Sequence, residues 1–153
     1  MRKLSSTKRT MLGLATITLV LAVAGCGTMD PQSNMVAFTT QMRGTNEVPQ
    51  NASAGTGSVD AVFDKKTSLL RWKVSYSGLS GPATGAHFHG PALIGANGPV
   101  VLPWKNPIAS PLEGSATLTA AQAEDLIAGK WYANIHTAAF PGGEIRGQMT
   151  ARY

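Results

Sequence analysis

From Val36 onward the chain is written in short runs whose apolar residues recur at every second position. Side chains alternate between the two faces of an extended strand, so such a run predicts a strand with one buried face. Leu69–Ser77 is the clearest case, with Leu70, Trp72, Val74 and Tyr76 on one face and Arg71, Lys73 and Ser75 on the other. Val36–Arg43 and Gly57–Phe63 alternate in the same way, and Asp64-Lys65-Lys66-Thr67 reads as a hairpin turn. Further strands are predicted around Gly85–Pro91, in the apolar run Pro99–Trp104, and over Leu112–Leu118, Lys130–His136 and Glu144–Arg152. Between them lie polar or Gly/Pro-rich loops at Gly44–Gly55, Pro91–Gly98, Lys105–Pro111 and Thr137–Gly143.

One helix is predicted. Thr119 stands as its N-cap, Gln122 completes a capping box, and Gly129 ends it. At two or three turns it connects strands rather than forming a layer. Crossover helices for a parallel sheet are lacking. The pattern therefore predicts an all-β fold, an antiparallel Greek-key-like β-sandwich with one short connecting helix. Trp72 and Trp131 read as sandwich core, and Trp104 as partly exposed.

The first 25 residues read as a leader rather than as part of this fold. Arg2, Lys3, Lys8 and Arg9 form a charged head, and Met11–Val23 is an apolar run short of the about 20 residues a membrane span needs. It ends in Val23-Ala24-Gly25-Cys26, and Cys26 is the sole cysteine. This order of head, apolar run and small-residue box resembles a bacterial lipoprotein leader, which implies cleavage before Cys26 and lipid attachment to it. An ordinary signal peptide with a chance cysteine is the alternative. Gly27, where an Asp would mark inner-membrane retention, favours the outer membrane within that pattern. The chain thus divides into a leader at 1–25, a tether at 26–34 and a domain at 35–153. Its expected place is the cell envelope, with the membrane as a partner through the anchor on Cys26.

Loss of the leader changes the charge picture. The whole chain has 13 Lys and Arg against 8 Asp and Glu, but four of the basic residues belong to the leader. The remainder is nearly neutral and carries no basic stripe, so no nucleic-acid partner is expected. With its cysteine acylated, the monomer forms no disulfide, and stability must come from a core, for which the mature length suffices.

The candidate chemistry lies in the histidines, of which there are three. In Gly85-Ala86-His87-Phe88-His89-Gly90-Pro91, His87 and His89 leave one face of the strand while Ala86 and Phe88 leave the other. In Trp131–His136, Tyr132, Asn134 and His136 share one face, and Trp131, Ala133 and Ile135 share the plainly core-like other. If the two strands pack together, all three imidazoles meet on the less apolar face. Three neutral nitrogens without a thiolate suit copper first and zinc second, since a closed structural zinc site has four ligands. Glu144, Arg146 and Asn134 are candidate partners for the rings, Glu144 being the foremost and even a direct ligand candidate. Met42 or Met149 could supplement Cu(I), although core filling is the simpler role for both. The competing view is that the histidines are structural polar groups, and that Glu144 and Arg146 are strand-surface charges forming an ion pair.

Three segments together resemble the CHRD domain, named for its occurrence in chordin and common in bacterial secreted proteins. They are Gly85–Ala92, Asn97-Gly98-Pro99-Val100-Val101, and Ala128–Thr137 with Pro141–Gln148. The resemblance runs from about Val36 to Tyr153 and implies a β-rich extracellular domain of loosely defined biochemical role. The His-x-His strand also resembles the copper strand of Cu/Zn superoxide dismutases, which implies redox activity only weakly, because those sites use four histidines. No Ser-His-Asp or Cys-His order is evident, so binding rather than catalysis is expected. A module that uses the loops at 44–56 and 91–98 to recognise an envelope protein or glycan is the second reading.

Overall fold

The one-sided strand at the centre of the prediction is present as β3 (Leu69–Ser77), with Leu70, Trp72 and Val74 buried and Arg71, Lys73 and Ser75 exposed. The protein is described by a computed structural model over residues 34–152. The leader, Cys26 and most of the tether lie outside the described residues. Before β3 come β1 (Met35–Arg43) and β2 (Thr56–Asp64), and after it β4 (Ala83–His89), β5 (Val100–Pro103) and β6 (Leu112–Thr117). Helix α1 (Ala120–Ile127) leads to β7 (Tyr132–Thr137), β8 (Ile145–Gln148) and β9 (Thr150–Arg152).

Every pairing is antiparallel. The strands form one sheet in the order β5-β4-β7-β8-β1-β2-β3-β6, with β9 on β1. The sheet curls, so its halves face each other in a sandwich-like way. Trp72 of β3 meets Phe88 of β4 edge-on at 5.3 Å between ring centroids, and Phe88 meets Trp104 at 5.1 Å. Trp104 is therefore core and not partly exposed. Its position just beyond β5 carries it inward beneath Phe88. Met42 and Met149 are fully buried in the same core, away from any role as exposed ligands.

The expected strand over Glu144–Arg152 is broken at Met149, which drops into the core while its N–H bonds Trp131 O at 2.8 Å. Its two pieces pair with different ends of β1, Arg146 opposite Arg43 and Thr150 opposite Thr39. This segment joins the two halves of the sheet. Helix α1 begins with the reciprocal Thr119–Gln122 capping box. It ends with Gly129 at φ 70°, where Gly129 N–H bonds Leu126 O and Lys130 N–H bonds Asp125 O, the paired closure that spares the last carbonyls.

Candidate metal centre

Strands β4 and β7 are neighbours, with His87 opposite Asn134, His89 opposite Tyr132 and Gly85 opposite His136. Ala86, Phe88, Ala133 and Ile135 are buried in the core. Period-two alternation then sends His87, His89, Tyr132, Asn134 and His136 to the other face. Gly85 is the register partner of His136. A Cβ there would stand 3.4 Å from His87 Cε1 and 3.8 Å from His136 Cδ2, in ordinary van der Waals contact with both rings.

They do come together. Ring centroids lie 5.1 Å apart for His87 and His136 and 5.5 Å apart for His87 and His89. One nitrogen from each of the three rings lies within 4.8 Å of the others. His87 Nδ1 and His136 Nε2 are 3.3 Å apart, and two nitrogens bound tetrahedrally to one ion at about 2.05 Å stand about 3.3 Å apart. One ion can gather the set with side-chain movements of about an ångström.

The hydrogen bonds fix the rings' protons. His89 Nδ1 lies 2.9 Å from Gly98 O, and His136 Nδ1 lies 2.9 Å from Pro141 O. A carbonyl only accepts, so in both rings Nδ1 carries the proton and Nε2 presents a lone pair. Both Nε2 atoms lie 3.0 Å from Asn134 Oδ1, a further acceptor. His87 can supply one N–H to His136, but His89 Nε2 faces an oxygen with no proton between them. Ring protonation is disfavoured, because burial above all, with the neighbouring histidines, pushes His87 below the ordinary imidazole range. His89 is pushed down too, chiefly by burial and despite its bonds to Gly98 and Asn134. Neutral rings with converging nitrogens are a donor set that could hold a metal ion.

The loop before β5 encloses the site from one side. Tyr132 stacks flat on His89 at 4.7 Å with 2° between the rings, and the Arg146 guanidinium lies 3.4 Å above the Tyr132 ring centroid. Arg146 donates to Asn97 Oδ1 at 3.0 Å and to Ala96 O at 2.6 Å. It thereby holds the loop whose Gly98 carbonyl orients His89. Arg146 supports the site through Tyr132 and the loop, and Asn134 through direct contact with two rings.

Glu144, the foremost candidate partner, is elsewhere. The strand begins only at Ile145, just past Gly143 at φ 130°, so the alternation that would align Glu144 with Arg146 does not reach it. Its buried carboxylate accepts from Ser53 Oγ, Ser80 N–H and Ser80 Oγ, each at 2.7 Å, and from Thr137 Oγ1. It does not join the histidine group. Nor do Glu144 and Arg146 form a surface ion pair, since both are buried with separate partners. The residue missed in the sequence is Glu47. It lies in a loop that reads as solvated, yet it is 4% exposed beside Asn134 and Arg146. No periodicity marks it, because its burial depends on how the loop folds back on residues 143–146.

Fold and cluster define a class: an antiparallel β domain with a half-buried histidine triad on the outer face of its sheet. The CHRD domain matches residues 38–149, and the chain belongs to that family. Comparison with curated proteins and with solved structures gives no match.

Proposed function

We propose that the protein is an envelope-anchored metal-binding protein that holds copper, with zinc as the second choice, through His87, His89 and His136. The observation that carries this reading is the convergence of one nitrogen from each of three histidine rings within 4.8 Å of one another. Copper comes first because the donor set is nitrogen-rich and lacks a thiolate. Three ligands leave a coordination position for a fourth donor, a feature of sites that exchange their metal or act on a bound molecule rather than serve as closed structural clips.

Metal analysis and calorimetric titration of the purified protein test the reading. The expected result is about one Cu per chain, with tight binding abolished in both His87→Ala and His136→Ala. Unchanged affinity in both variants overturns it. Envelope anchoring rests on the leader pattern ending at Cys26. Cys26→Ser is expected to move the protein from the membrane fraction to the soluble fraction, and continued membrane retention refutes the anchor.

The second reading, a protein- or glycan-binding module, is favoured by one observation. Leu93 and Ile94 at the tip of the loop that Arg146 holds are 70% and 81% exposed. A protein that is metal-free after copper exposure, and still functional with all three histidines replaced, would favour it over the first.

A further inference from the structure

Glu47 is the one buried carboxylate of the described residues with an unpartnered oxygen: Oε1 has no hydrogen-bond partner. It sits against the backbone of Gly143, where an added Cβ would stand 2.5 Å from Oε1 and where φ is 130°. A buried carboxylate oxygen with no partner from the protein is destabilising. The neighbouring Arg146 acts on it through charge, while its terminal nitrogens donate to Asn97 and Ala96 and its plane lies over Tyr132.

The Asn134 side chain also acts on this carboxylate, after Arg146 and the Val48 amide. The Asn134 amide has a carbonyl end and an NH2 end, and the carbonyl end lies 3.0 Å from both His89 Nε2 and His136 Nε2. When ionised, the carboxylate accepts and does not donate, so it selects the NH2 end and turns Oδ1 toward the rings. Three neutral imidazoles also leave the full charge of a bound cation uncompensated, and Glu47 is a buried carboxylate linked to this arrangement through Asn134.

We propose that Glu47 is a positioning residue of the histidine site, setting the orientation of Asn134 and offsetting the charge of a cation held by His87, His89 and His136. This rests on the metal-binding reading above. It assigns to Glu47 a role in the metal-bound state at the expense of the metal-free fold.

Two variants separate the parts of the role. Glu47→Gln keeps an oxygen for Asn134 and removes the charge, whereas Glu47→Ala removes both. On Cu(II) titration of the purified proteins, Glu47→Gln is expected to bind ten- to a hundredfold more weakly with the wild-type Cu(II) EPR spectrum. Glu47→Ala is expected to bind more weakly still, with an altered spectrum. Metal-free Glu47→Gln should melt at or above the wild-type temperature, which a merely structural residue would not allow. If wild type binds copper and both variants match its affinity and spectrum, the assignment of Glu47 falls and the histidine site stands. If affinity falls only in step with metal-free melting temperature, Glu47 is structural and the assignment also falls. If wild type itself binds no metal, the metal reading falls first and takes this one with it.

Discussion

Single groups here are tuned against their solvent values, and the signs can be checked. Burial pushes Glu47 up to about 7, against the pull of Arg146, the Val48 amide and Asn134. An acid with a raised folded pKa binds more protons folded than unfolded between the two values. Stability from this residue is therefore lost as pH rises from about 4.5 to about 7. The difference in unfolding free energy between wild type and Glu47→Gln, measured without metal by urea denaturation, should shift against wild type by about 3 kcal/mol across that window. A flat difference would show that Glu47 is not buried as described. His87 and His89 act with the opposite sign. Their depressed values make stability fall as pH drops below the ordinary imidazole range, so the comparison with Glu47→Gln is needed to isolate the carboxylate.

Among the elements, β4 and β7 carry the site, and their register is what makes it. A one-residue slip between them would exchange Phe88 and Ile135 for the histidines on the core face, so the buried side fixes the exposed one. Such pairing is legible in the pattern. Ala86 and Phe88 against His87 and His89, and Ala133 and Ile135 against Asn134 and His136, identify the ring-bearing face without coordinates. The same argument fails at Glu144, because alternation holds only within a strand and the chain turns at Gly143 just before one starts. Helix α1 was equally readable, since its caps are local: Thr119, Gln122 and Gly129 satisfy backbone groups a few residues away. Trp104 was not, because it stands beyond the last paired residue of β5, where no alternation says which way it points.

At the scale of the whole molecule, Glu144 rather than the histidines ties distant segments together. Its carboxylate gathers donors from Ser53 in one loop, Ser80 in another and Thr137 at the end of β7. Burial raises its pKa, but the bonds from Thr137, Ser53 and Ser80 together outweigh that and hold it below the ordinary carboxylate range. A depressed folded value means stability that is present above the unfolded pKa and lost as pH falls through the folded one. Glu144→Ala should cost at least about 2 kcal/mol at neutral pH, because it strands the buried Thr137 hydroxyl and removes the charge-assisted bonds from Ser53 and Ser80. The loss should shrink on acidification as wild type protonates. Thermal denaturation at pH 7 and at pH 3 measures both, and an unchanged melting temperature at pH 7 would remove Glu144 as a structural tie.

The chain by itself determined that this is an antiparallel β domain, where its strands and its helix lie, and that three histidines face away from the core. Those features are local, since period-two alternation and helix caps are satisfied by residues close in sequence. Only the tertiary structure decided that His136 meets His87 across Gly85, that Asn134 bridges two rings, and that Glu47 rather than Glu144 is the carboxylate near them. Contacts between residues 47, 87 and 136 depend on sheet closure and on the path of loops, and neither is encoded in any short stretch of residue types.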